Sequence, residues 1–241
     1  IEEKFVWPKA SSTTMVQKFD SFMMNNGFSK TTSDHCVFVK NFSDGKFIIL
    51  LLYVDDMLIV GQDSTMINKL KLELSKSFAM KDLEPAKQIL GMKIVRDRKE
   101  GLIWLSQVSY IEKVLERFNK NKVKPVGCPL AGHFKLSSNQ CPTSEKDKEE
   151  MLKVPYASTV GSLIDAMVCT RSDIAHAVGV VSCFLSNPGN EHCATVIWIL
   201  RYLRGISKVC LCFGDGKPML DGFIDSDMAG DVDSRKSLRG I

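Results

Sequence analysis

No Cys-x-x-Cys pair occurs among Cys36, Cys128, Cys141, Cys169, Cys183, Cys193, Cys210 and Cys212. Neither a zinc ribbon nor a thioredoxin-like redox site is therefore indicated. Most of these cysteines sit in apolar stretches, where a free thiol behaves as a small hydrophobe. With no signal peptide in view, the pattern points to a reducing, intracellular setting. Long hydrophobic runs are missing too. The longest, Phe47 to Val54, stops at Asp55-Asp56, far short of the roughly 20 apolar residues of a membrane helix. No Gly-x-x-x-x-Gly-Lys-Ser/Thr loop is present, which sets aside a P-loop ATPase, and no internal repeat is evident. Punctuation is lacking at both ends. The chain opens on Ile1 and stops at Ile241 in what reads as a strand just begun, so both ends read as cut.

The chain has 241 residues, of which 44% are hydrophobic. That is enough for one large domain or two small ones with a real core. A net charge of +4 and a pI near 8.6 fit a nucleic-acid partner without demanding one.

Helical spacing of Val16, Phe19, Phe22 and Met23 predicts a helix over 16–26, with Gly27 as its stop. A β-rich run at 36–39, a turn at 41–46 containing Asp44-Gly45, and a fully buried strand over 47–54 follow. Asp55-Asp56 then separate this strand from a second apolar run, 57–60. Ser64 is read as the cap of a helix reaching Phe78, with Ile67, Leu70 and Leu74 on its inner stripe. A second hairpin pairs 89–95 with 102–105. The next amphipathic helix carries Val108, Ile111, Leu115 and Phe118 and leads into Lys120, Lys122 and Lys124. From Gly132 to Glu150 the composition is polar and reads as a linker. Helices fit 156–169, 172–186 and 190–204, and strands fit 209–213 and 220–224.

The informative feature is Tyr53-Val54-Asp55-Asp56 between two apolar strands. Adjacent carboxylates at the end of a buried strand raise each other's pKa, and desolvation adds to the cost. A hard divalent cation relieves this. Mg²⁺ takes one or two carboxylates and completes its shell with water and substrate phosphates. Two such ions about 3.5–4 Å apart activate a 3′-hydroxyl and stabilise a leaving pyrophosphate. Taken alone, however, Asp-Asp fits a solvated β-turn better, since turns are a common use of Asp.

Further motifs shift that balance. Leu51-Leu52-Tyr53-Val54-Asp55-Asp56-Met57-Leu58-Ile59-Val60-Gly61 closely resembles the Tyr-x-Asp-Asp segment of copia-type retrotransposon reverse transcriptases. Phe19-Asp20-Ser21-Phe22-Met23 and Asp34-His35-Cys36-Val37 resemble the segment just upstream in that family. Phe78-Ala79-Met80-Lys81-Asp82-Leu83 and Ile89-Leu90-Gly91-Met92 resemble the region downstream. Thr159-Val160-Gly161-Ser162-Leu163 and Arg171-Ser172-Asp173-Ile174-Ala175-His176 are similar to its thumb, and Ile224-Asp225-Ser226-Asp227 to the first strand of its RNase H. Nearly the whole chain is covered, in the family's order.

The resemblance implies an α+β fold: a partial reverse transcriptase palm, an antiparallel sheet with helices, over 1–130. A linker at 131–155, a helical thumb at 156–206, and a connection strand with a truncated RNase H start at 207–241 would follow. Asp55 and Asp56 would be the catalytic and metal-binding carboxylates, with Mg²⁺, or Mn²⁺ in its place, as the cofactor. Asp225 would bind metal in RNase H. Tyr53 and Val54 would lie against the primer end and incoming nucleotide. Gly91 and Met92 would form a primer grip, although core packing is the plainer role for Met92. Arg201 and Arg204 would contact the nucleic-acid backbone without reading sequence, although alone they suit a solvated face. Template–primer duplex, dNTPs and the rest of a Pol polyprotein would be the partners, in a cytoplasmic, particle-associated or nuclear setting.

Departures from the family pattern accompany the match. Its first polymerase carboxylate would precede Ile1 and its other RNase H acids would follow Ile241, so these residues alone are expected to be inactive. Pro8 to Met15 replaces a Leu-Lys-Gln-x-Pro-Arg-x-Trp stretch, and Met228 replaces a Trp. Asp165 stands where an aromatic is usual; on a buried face it would cost roughly 1–3 kcal/mol unless paired. The alternative to a polymerase segment is a non-catalytic, nucleic-acid-binding remnant, or a decayed copy with no selected role.

Overall fold

The computed structural model describes residues 2–6, 13–53, 56–214 and 216, and within these the side chains of 2–6, 13, 14, 81 and 83–85 are not described. The fold is α+β, with antiparallel sheets and helices, and divides into two compact units, 1–89 and 90–241. The boundary lies inside the 1–130 stretch read from sequence as one segment.

In the first unit, β1 (Glu2–Val6), α1 (Thr13–Asn25), β2 (Ser29–Lys30), β3 (Val37–Asn41), β4 (Phe47–Tyr53), β5 (Asp56–Gly61), α2 (Ser64–Ser77), β6 (Lys81–Pro85) and β7 (Gln88–Ile89) follow in order. Six of the strands form one sheet in the order β2-β3-β4-β5-β1-β6. Period-two alternation gives this sheet one inner face. Ile48 and Leu50 of β4 and Met57 and Ile59 of β5 are buried with Phe38, and α1 and α2 supply Phe19, Met23, Ile67, Leu70 and Leu74 to the same core. Phe19 meets Phe38 and Phe78 edge-on, at ring-centroid distances of 5.6 and 5.5 Å, contacts of about 0.5–1.5 kcal/mol beyond burial.

Three local expectations change. The 47–54 run is not buried throughout, because Leu51 and Tyr53 are exposed on the sheet's other face while Ile48 and Leu50 point inward. Asp63, not Ser64, caps α2, its Oδ1 accepting from the Thr65 N–H at 2.9 Å; the earlier carboxylate reaches a donor that the helix leaves unsatisfied. Finally, β1 was not foreseen at all.

The second unit carries β8 (Met92–Asp97), β9 (Leu102–Ser106), α3 (Val108–Arg117), α4 (Glu145–Leu152), α5 (Tyr156–Cys169), α6 (Ala175–Ser182), α7 (Asn190–Gly205) and β10 (Leu211–Phe213). β9 pairs antiparallel with β8 and β10. Its core joins Ile111, Val114 and Leu115 of α3 to Tyr156, Val160, Leu163, Val178, Ile199, Leu200 and Leu203. Thus α3 packs with the expected thumb helices, and this bundle starts well before residue 156.

The expected linker at 131–155 contains a 3-10 turn, Ser138–Gln140, and α4, whose first turn is capped by Ser144 accepting from Asp147 N–H at 3.2 Å. No α4 residue is buried, so no apolar stripe was available to read. The helix expected over 172–186 is a 3-10 turn at Ser172–Ile174 followed by α6. Arg171 and Asp173 explain the break. Their side chains form a forked ion pair, with Nε–Oδ1 at 3.0 Å and Nη2–Oδ2 at 2.6 Å, whereas residues i and i+2 of an α-helix face apart. The strand expected at 220–224 lies outside the described residues.

Candidate active site

β4 and β5 are rich in β-branched and aliphatic residues that suit a pleated, half-buried surface. They pair antiparallel from Ile48↔Gly61 to Tyr53↔Asp56, leaving Val54 and Asp55 as the connection. Those two residues lie outside the described residues. Asp56 is the first residue of β5, one residue earlier than the apolar run alone suggested. Registered neighbours in antiparallel strands share a face, so Tyr53 and Asp56 stand side by side.

That face is opposite the one covered by α1 and α2. Met57, Ile59 and Gly61 are buried, whereas Asp56, Leu58 and Val60 are half-buried, and Tyr53 is 57% exposed. A polar head at the turn end of a hairpin can meet a substrate while its strand remains anchored in the core. β1 flanks the hairpin on its other side, with Val6 in register with Asp56. The five-residue stretch Glu2–Val6 has too little alternation to have signalled this strand, yet it makes β5 an interior strand of the sheet.

The donor chemistry suits a hard divalent cation. Asp56 offers carboxylate oxygens, and residues 47–61 contain neither His nor Cys, the softer donors that favour zinc or copper. Among the described residues, no cluster of three His, Cys, Asp or Glu side chains is assembled for a metal. Asp225, expected from sequence to bind metal, lies outside the described residues.

Gly91 and Met92 fall in the second unit. Leu90 and Gly91 both adopt positive φ, 49° and 76°. Glycine takes this conformation freely, whereas leucine does not. Met92 is half-buried on the same side of β8 as the buried Ile94, so it is not a deep core residue.

Arg201 and Arg204 are half-buried on α7. Arg201 Nε donates to the Lys124 carbonyl at 2.8 Å, and the guanidinium lies 5.0 Å from the Trp198 ring centroid. Part of this side chain is thus committed within the protein. Asp165, anomalous in sequence, is exposed and accepts from Tyr110 Oη at 3.2 Å. Its desolvation cost therefore does not arise.

Comparison with known proteins fits this arrangement. Residues 7–132 match the family model described as reverse transcriptase (RNA-dependent DNA polymerase). A retrovirus-related Pol polyprotein from transposon TNT 1-94 of Nicotiana tabacum is 65% identical over 223 residues, 92% of this chain and 17% of that protein. The Pol polyprotein from transposon RE1 of Arabidopsis thaliana is 36% identical over 222 residues, covering 91% and 14%. An uncharacterised mitochondrial protein of Arabidopsis thaliana is 34% identical over 193 residues, covering 80% and 76%. No solved structure matches. The chain spans 17% or less of the two Pol polyproteins' lengths. It belongs to the reverse transcriptase (RNA-dependent DNA polymerase) family, as a segment similar throughout to copia-type retrotransposon Pol polyproteins.

Proposed function

We propose that this chain is the hairpin-bearing part of an RNA-directed DNA polymerase that extends a primer 3′-hydroxyl on an RNA template within a larger Pol polyprotein. The single observation that carries this reading is the β4–β5 register, which sets Asp56 beside Tyr53 on the sheet face left open by α1 and α2. Members of this family use divalent metal ions. Here Asp55 and Asp56 would hold Mg²⁺, with Mn²⁺ as a substitute. The ion supplies charge neutralisation at the 3′-hydroxyl and the leaving phosphates. The protein's part is to hold Asp56 on a paired strand and to leave the face beside Tyr53 accessible to a primer end. Gly91 and Met92 are assigned to steadying that end, Val54 to the nucleotide, and Arg204 with the remaining donors of Arg201 to the backbone. Asp225 is assigned to the RNase H carboxylates, and an intracellular setting completes the assignment.

Incorporation of labelled dTTP on poly(rA)·oligo(dT), by a polypeptide carrying this chain with the family's upstream segment, tests the proposal. Incorporation with Mg²⁺ that stops on adding EDTA is expected. Duplex binding without any incorporation would favour a non-catalytic role.

A further inference from the structure

Two stretches of the second unit contain cations and no carboxylate at all. The segment 117–126 holds Arg117, Lys120, Lys122 and Lys124, and 197–208, mostly the second half of α7, holds Arg201, Arg204 and Lys208. Across the whole chain the charges nearly balance, 32 basic against 28 acidic residues, so this separation is local.

The fold brings the two stretches together. Arg201 Nε donates to the Lys124 carbonyl at 2.8 Å, and Trp198 Nε1 donates to the Cys128 carbonyl at 3.0 Å, which pins the segment along α7. Phe118 and Lys120 share the lining of a cavity of about 200 Å³ with Ile197 and Leu200 of α7. Asp173, a carboxylate that reaches this end of α7 through Tyr202, is already engaged by Arg171 and by Tyr202 Oη at 2.7 Å. Among the described residues, none of the seven cations takes part in an ion pair. Lys122 and Lys124 are exposed, and Lys120 is half-buried.

Cations clustered in two adjoining stretches with no acid within either repel one another, and a polyanion relieves that repulsion. We infer that Lys120, Lys122 and Lys124, displayed on a segment clamped to α7 by Arg201 and Trp198, form a phosphate-backbone contact for the primer–template duplex. The clamp gives Arg201 a positioning role rather than a purely direct one. The inference rests on the polymerase proposal for the identity of the polyanion. A nucleic-acid backbone is favoured over an acidic peptide because the lysines, with Lys122 and Lys124 exposed, offer flexible point charges, which suits sequence-independent phosphate contact.

The test is fluorescence anisotropy of a labelled RNA–DNA hybrid duplex titrated with the full 241-residue chain at several KCl concentrations. The wild type is compared with K120Q/K122Q/K124Q and with K146Q/K148Q/K153Q, which removes the same charge around α4. The first variant should bind about tenfold or more weakly, and its log–log salt slope should be shallower by roughly 2.7, about 0.9 for each phosphate contact removed. The second should resemble the wild type. Equal effects of the two variants, or an unchanged slope in the first, overturn the inference, as does a wild type that fails to bind duplex at 50 mM KCl. Equally tight binding of poly-glutamate overturns the choice of nucleic acid. Nucleotide incorporation by the upstream-extended protein is a separate readout, so either proposal can fail while the other stands.

Discussion

Tyr53 and Asp56 are registered cross-strand neighbours at the turn end of the β4–β5 hairpin, one 57% exposed and the other half-buried. Their position follows from alternation. Once Ile48, Leu50, Met57 and Ile59 are committed to the core under α1 and α2, the intervening residues must face outward. The face that carries the candidate chemistry is therefore fixed by residues that perform none of it.

Gly91 should tolerate substitution poorly. Its φ of 76° lies in the left-handed region, and a Cβ added there meets nothing within 4 Å. Gly91→Ala should therefore cost the second unit about 1–2 kcal/mol through backbone conformation alone. Leu90→Gly, at φ 49°, should be tolerated or stabilising. Urea denaturation of both variants checks this; equal losses would contradict it.

Arg171 is 2% exposed and makes three hydrogen bonds, two to Asp173 and one from Nη1 to the Ile206 carbonyl at 2.7 Å. Arg171→Leu leaves those acceptors behind and should destabilise the second unit by roughly 3 kcal/mol, the low end for a broken buried pair because Asp173 is 38% exposed. Arg171→Lys should rescue little, since an ammonium cannot reproduce the fork. Thermal unfolding of the two variants measures the difference.

Alkaline stability should depend on Tyr110. Burial, followed by the nearby Asp165 carboxylate, pushes its phenol up to about 12 from the ordinary 10.0. A folded-state pKa above the unfolded one gives stability that is present in full below pH 10 and is lost as pH rises through about 12. Unfolding free energy should fall across that window in the wild type and fall less in Tyr110→Phe. At pH 8 the variant should lose about 1 kcal/mol, because the single O–H that Ser162 O and Asp165 Oδ2 share in the wild type is gone. An identical alkaline slope in the two proteins would contradict this assignment.

Much of the fold was legible because burial and periodicity coincide. α5 spans 156–169 as the apolar spacing predicted, and α2, α3, α7, β3, β8 and β9 fall within a few residues of their expected ranges. What escaped has particular causes. β1 carries only five residues and little alternation. α4 buries nothing and reads as a linker. The break before α6 is driven by the Arg171–Asp173 fork, a side-chain event invisible to periodicity. At the candidate site, Tyr-Val-Asp-Asp was conspicuous as a motif, but the face on which Asp56 stands required knowing which side α1 and α2 cover. Arg201 shows the opposite limit: its charge was legible, but its bond to the Lys124 carbonyl was not.

Under the proposed function Asp55 and Asp56 would bear most of the functional weight, and this would set them apart from a solvated turn in one measurable respect. Single-turnover primer extension by the upstream-extended polypeptide, with Asp55→Asn and Asp56→Asn assayed separately at saturating Mg²⁺, isolates that respect. Each substitution should slow nucleotide addition more than about 100-fold, beyond the 10- to 100-fold typical of disturbing a metal's outer shell, with duplex affinity little changed. Addition at the wild-type rate by either variant would contradict the account.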